Sequence, residues 1–449
     1  MRKSIKVLFV LLFVSSLTIL SGSCEEQYNH IWTAESPITK ANSWFGYKIE
    51  IDGEYIITSQ PKADVDDIQS AGKIYVYDLN GNLITTHQSP EPGPGDTFGY
   101  RLDAHDGLLV AYEVADYGGK RAVGKVHVFE SDGTLQYTLQ PQETYTGLGF
   151  GMTVAIGEEI LLISDNSVEM TPAASGKVHI YSQDGEFTST ILPPDPFPSG
   201  FFASTMEVEE GLIFVTQNGE PDWLRIGPGY VYVFDVEGTH LMTLEAPEKE
   251  DQACFGYSVS VSGDKIVIGE YRATVNGDKW AGKLHIYNTE GDYLRTLLSP
   301  NPDTHAWFGR DVAISGDIIV VGEQFGDIAP GLNEGKAYVF NIDGTLLQTL
   351  TAPEPTPRGA FGRTVDIQDD IIVVCEVWAE VDGHSESGKF HVFKLGAPVE
   401  VQEPVEETTT ETEDEPDIDD NGWIPGYPVW SIGLALLLVS IIITRTQKQ

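Results

Sequence analysis

Five carboxylic acids recur along this chain at almost constant spacing: Glu113, Asp165, Glu270, Glu323 and Glu376, with Gln60 and Gln217 completing a seven-fold series. A ring of acids at matched positions could hold a cation or a cationic ligand. Each acid could instead fix a neighbouring loop by pairing with a nearby group, such as the lysine of Gly124-Lys125, Gly176-Lys177 or Gly282-Lys283. Recurrence in every copy is what a structural device does, and it favours the second reading. A further set differs from copy to copy: Trp223, Arg225, Tyr271, Arg272, Trp280, Phe325 and Trp378. Trp, Tyr and Arg dominate interface energetics, and their variation between copies is expected where side chains touch something outside their own repeat. Any one of them can simply pack its own loop; as a set they mark a candidate ligand-binding face.

Other chemistry is sparse. Tyr75, His127, His179, Tyr232, His285, Tyr338 and His391 occupy one recurring position, where an amphipathic ring is wanted and a titrating group is not. No metal-ligand spacing, phosphate loop, nucleophile elbow or supported Cys–His pair stands out, so no catalytic residue and no metal site is assigned. Cys254 and Cys375 fall at unlike places in different repeats, and with Cys24 they make no disulfide framework. A net charge of −41 excludes nucleic acid and anionic membrane surfaces as partners and suits a solvated surface domain.

These residues hang on a repeat. Phe45, Phe98, Phe150, Phe202, Phe255, Phe308 and Phe361 each open a copy, all but Phe202 are followed by Gly, and a Gly-Lys pair follows later in all copies but the fourth, which has Gly229-Tyr230. In one copy, Phe255 to Ser262 alternates apolar and polar residues, Gly263-Asp264 turns, and Lys265 to Gly269 is β-branched, which predicts a hairpin. Lys283 to Asn288 and Tyr293 to Leu298 predict a second. Four strands per copy, with no helical periodicity, predict an all-β fold: a seven-bladed β-propeller spanning residues 25–398. The last copy lacks a fourth strand, and His30 to Pro37 matches the fourth-strand endings elsewhere, so the N-terminal strand is expected to close blade seven.

Phe-Gly opening the first strand, an apolar second strand such as Ile319-Val320-Val321-Gly322, and Gly-Lys-x-x-Val-Phe opening the third resemble FG-GAP repeats, the blades of integrin α-subunit propellers. The resemblance implies a module for adhesion or recognition of a protein or glycan. Integrin blades that carry calcium hold it in a long Asp-rich loop between the first two strands. Here those turns are Asp52-Gly53, Asp106-Gly107, Gly263-Asp264 or Gly316-Asp317, so the integrin-type loops are absent and no cofactor is expected, with calcium as the one alternative left open.

The ends set the expected location. Residues 1–23 have the basic start, apolar run and small residues of a secretory signal peptide; Cys24 directly after them is a candidate lipidation site. Residues 399–423 form an acidic stalk rich in Thr, Glu and Pro, and residues 424–449 an anchor with one short transmembrane helix from Val429 to Thr444. Ile424-Pro425-Gly426-Tyr427-Pro428, the apolar run and the basic end resemble the tripartite sorting signals of archaeal surface proteins. The expectation is a monomeric propeller held outside the cell, binding a cell-surface protein or glycan through its long loops. The alternative is a hydrolase or lyase with its active site on the same face.

Overall fold

The computed structural model describes residues 27–115, 123–141, 149–165, 176–196, 202–218, 229–328 and 331–396. The signal segment, Cys24, the stalk and the anchor lie outside them, as do Trp223 and Arg225. Among the described residues no helix is long and apolar enough to cross a membrane.

Blade five shows how the repeat folds. Ser258–Ser262 pairs with Lys265–Glu270 across the Gly263-Asp264 turn, residues 271–282 lead to Lys283–Asn288, and Tyr293–Leu298 forms the rim. Lys265–Glu270 is buried on both faces of the sheet, which is why it reads as a run of Ile and Val rather than an alternation. Tyr293–Leu298 faces water on one side and stays mostly exposed. Seven such four-stranded antiparallel sheets are present among the described residues.

The sheets stand around one axis. Their innermost strands, from Ile49–Asp52 and Arg101–His105 round to Phe361–Gln368, each touch the next, and the last returns to the first. The apolar core is therefore not one mass but seven, each filling a seam between consecutive blades. Leu284 and Ile286 of blade five, for example, pack with Phe308, Val312, Ile319 and Val321 of blade six. Each motif phenylalanine is fully buried in one of these seams, where such a ring contributes about 2–3 kcal/mol. Blade seven takes its fourth strand from Gln27–Glu35, paired antiparallel with Lys389–Gly396.

Neighbouring innermost strands splay apart, so side chains carry hydrogen bonds across the gap. Ile156 N–H donates to Asp103 at 2.7 Å, Ile51 N–H to Asp366 at 2.6 Å and Val365 N–H to Asp311 at 2.9 Å, each crossing one blade boundary. Burial pushes Asp103 up to about 6 and Asp366 up to about 7, the latter helped by the charges of Asp311 and Asp103. The fold thus binds protons that the unfolded chain has already released, and its stability falls as pH rises from the ordinary aspartate range through these values. At about 1.4 kcal/mol per pKa unit, and discounted because both side chains remain partly exposed, the contribution is about 2 kcal/mol. Thermal unfolding is expected at a higher midpoint near pH ~5 than near pH ~8. Asp366→Asn, whose amide oxygen can still accept from Ile51, should narrow that gap; a midpoint that climbs with pH would contradict the assignment.

Candidate functional site

The seven-fold acid series lies beneath the long loops, not on them. Glu113, Asp165, Glu270, Glu323 and Glu376 are buried, and each meets the ring of the amphipathic series on the next strand of its own blade. His127 lies 3.1 Å from Glu113, His285 2.9 Å from Glu270, His179 3.3 Å from Asp165 and His391 3.3 Å from Glu376. Tyr338 donates to Glu323 at 3.0 Å, Tyr75 to Gln60 at 2.9 Å and Tyr232 to Gln217 at 3.0 Å. Histidine always faces an acid, and tyrosine faces Gln or the one acid, Glu323, that burial pushes up to about 7. The far nitrogen of each histidine meets a threonine of the fourth strand, Thr138, Thr190, Thr296 or, from the N-terminal strand, Thr33. Lysine of the Gly-Lys pair adds a contact in two blades, Lys177 to Asp165 at 3.2 Å and Lys125 to Glu113 at 4.0 Å. Such polar ladders tie strands two, three and four together at the end that holds the long loops.

Above the ladders, at the long-loop end of the ring, five of the seven copy-specific residues come together. Tyr271 packs against Tyr257 and Trp307 with centroids 4.3 and 5.3 Å apart, and Arg272 lies over both Tyr271 and Trp280. Trp307 meets Phe325 at 4.8 Å, and Phe325 meets Trp378 at 5.6 Å. Five of the sequence-nominated residues, Tyr271, Arg272, Trp280, Phe325 and Trp378, thus belong to one cluster, with Tyr271 buried and the others half-buried. A cavity of about 420 Å³ opens beside it, lined by Phe325, Trp378, Asn333, Arg358 and Glu386 among others.

The cluster continues into residues that the sequence reading did not nominate. Arg310 lies over Tyr257 and Trp307 at 5.2 and 5.1 Å, and Arg363 over Tyr47 and Trp378 at 4.5 and 6.0 Å. Tyr47 stacks on Trp44 and on Tyr100, and Arg101 lies over Tyr100. The crown runs through blades five, six, seven, one and two; blades three and four have Met152 and Ser204 at the place of Tyr47. Burial raises the Tyr47 phenol, but Arg101 and Arg363, with hydrogen bonds from Tyr100 and Arg101, outweigh it and bring it down to about 8.

The backbone is strained where the crown is built. Trp44, Trp280 and Trp307 sit at φ of 61°, 57° and 62°. This left-handed region is uncommon for bulky residues and costs about 1–2 kcal/mol each. Cys254 and Ala360 share the backbone of Trp307, so the fold imposes the conformation, while the choice of tryptophan there belongs to this site.

The opposite mouth is different in kind. Its cavity of about 530 Å³ is lined by Asp52, Asp106, Glu158, His105 and Gln368, with only Ile51 and Ala104 as apolar walls. Among the described residues no group of three His, Cys, Asp or Glu is arranged to hold a metal ion.

The FG-GAP repeat family model matches residues 239–287 and 295–340, which run from the rim strand of blade four to the third strand of blade six. No curated protein matches the chain. The matched copies share their Phe-Gly and Gly-Lys positions with the other blades, and together with the closed ring of seven sheets they fit an FG-GAP β-propeller similar to that of integrin α-subunits.

Proposed function

We propose that this chain is a binding or adhesion module of the cell surface, which recognises a protein or a glycan through the long-loop face of its propeller. The observation that carries the reading is the crown: aromatic and cationic side chains that differ between copies, gathered from several blades on one face. Half-buried Trp, Tyr and Arg in such a cluster are the residue types that anchor interfaces. A signal segment before the propeller, and a stalk and apolar run after it, support display outside the membrane through a single C-terminal helix. The propeller acts as a monomer, without a cofactor.

A screen of the full-length protein against glycans and cell-surface proteins tests this. Trp280→Ala combined with Trp378→Ala should weaken binding of the selected partner at least tenfold, since each anchor is worth about 1–2 kcal/mol or more. Asp106→Ser and Asp317→Ser, in the short turns, should leave it unchanged. Equal loss in both sets would refute the face, and turnover of a screened glycan would favour the hydrolase or lyase reading.

A further inference from the structure

The arginines of the crown stand apart from its acids, of which Glu386 accepts from Trp44 Nε1–H at 3.1 Å. Among the described residues no carboxylate oxygen lies within 4.0 Å of Arg101, Arg272, Arg310 or Arg363. With 68 acidic residues against 27 Lys and Arg, this is a matter of placement and not of supply. Asp311, the lining acid whose charge responds to Arg310 and Arg363, accepts its hydrogen bond from Val365 N–H. The donors at the mouth are also unmet. Nε of Arg272, Nε of Arg363 and Nε1 of Trp307 are buried, and none has an acceptor among the described residues. Arg310 lies near enough to Arg363 to lower its affinity for a proton, after burial itself, and Arg101 and Arg363 both act on the Tyr47 phenol. Cations have been brought together here against their mutual repulsion, beside N–H groups that need oxygen.

We propose that the long-loop mouth of the channel is a carboxylate site, in which Arg310 and Arg363, with Arg101 and the Tyr47 hydroxyl, receive the anionic group of a ligand whose body lies against Trp307, Phe325 and Trp378. A guanidinium presents parallel donors that match a flat carboxylate, and Arg is the residue of choice where such planar recognition is wanted. The charge of the chain as a whole repels polyanions, and salt screens that field beyond about 8 Å, so a single inserted carboxylate suits the site better than a dense polyanion. The carboxylate can come from a small free acid or from a uronate residue of a glycan. The proposal deepens the surface-recognition reading and rests on it only for the origin of the ligand.

The test is titration of the full-length protein with sodium glutarate, with tri-galacturonate and with oligoglutamate, read by tryptophan fluorescence and calorimetry. Saturable binding of glutarate or tri-galacturonate is expected, and Arg310→Gln and Arg363→Gln should each weaken it about tenfold or more, the loss of one charge-assisted hydrogen bond. Arg363→Lys should recover part of the loss. Glutarate binding as tightly as tri-galacturonate identifies a small acid as the natural source; a marked preference for tri-galacturonate identifies the glycan. Should the variants fail to fold, the wild type still decides: a bound carboxylate must move phenolate formation by Tyr47 upward from about 8. Absence of saturable binding by all three probes, binding indifferent to both glutamine variants, an unmoved phenolate titration, or binding of oligoglutamate alone would each overturn the proposal. A chain that binds glutarate but finds no partner in the surface screen would sink the adhesion reading and leave this one standing.

Discussion

Deleting residues 27–35 should destroy the ring, and Trp32→Ala alone should lower the unfolding midpoint by several degrees. The strand Gln27–Glu35 does more than fill the edge of blade seven. Trp32 lies in the seam with blade one, where its Nε1–H donates to the Leu79 carbonyl at 3.0 Å and its ring meets Phe390 and Tyr77. Tyr28 ties the other side: its N–H donates to Gln348 of blade six at 2.7 Å, and its carbonyl accepts from the same side-chain amide at 2.9 Å. Thr33 completes the polar ladder on His391. Without the strand, Lys389–Gly396 becomes an open edge with its backbone groups unpaired, the template for aggregation that closed rings avoid. Trp32 is half-buried, so its truncation should cost about 2 kcal/mol, less than a core tryptophan. Calorimetry on the point variant and size-exclusion of the deletion check this. A monomeric deletion variant with an unchanged midpoint would show that the ring closes without the strand.

The second large effect lies in the glycine of Gly-Lys. A Cβ on Gly282 would stand 1.9 Å from the carbonyl oxygen of Phe308, and the φ of 92° is itself closed to most side chains. Gly72 meets Phe98, Gly335 meets Phe361 and Gly388 meets Phe45 in the same way. The two sequence markers are thus the two halves of one joint, in which the backbone of one blade touches the next. Gly282→Ala forces blades five and six apart and should cost more than about 4 kcal/mol, beyond the ordinary range for a point substitution. Gly263→Ala is the control. Its φ of 56° is also left-handed, but nothing lies within 4 Å of the added carbon, so only the conformational cost of about 1–2 kcal/mol remains. Equal losses in chemical denaturation would mean that the joint is not what the marker encodes.

The repeat made the fold legible because its spacing is a direct imprint of blade geometry. The closing strand was legible too, since Thr33-Ala34-Glu35-Ser36-Pro37 copies the endings of other fourth strands. The pairing of acid and ring was present as covariation inside the repeat, with histidine at 127, 179, 285 and 391 only where an acid precedes it. Reading the two series separately hid that link. The crown was legible only in part. Trp280, Phe325 and Trp378 stand out in loops, whereas Tyr47, Tyr100, Tyr257, Arg310 and Arg363 directly follow Phe-Gly and read as ordinary strand openings. Their meeting depends on the seven-fold axis, which joins residues as distant as Tyr47 and Arg363. No local pattern signals such a contact. Blade four keeps the left-handed backbone at Ala203, with φ of 66°, although glycine is lost there.

Hydrogen exchange of the full-length protein, with and without the partner selected in the surface screen, tests the central claim most directly. Binding through the crown predicts slowed exchange at residues 271–282, 305–310 and 376–388, with the turns Gly53-Glu54, Asp106-Gly107, Gly263-Asp264 and Gly316-Asp317 unchanged. Protection confined to those turns would place recognition at the acidic mouth and contradict the account.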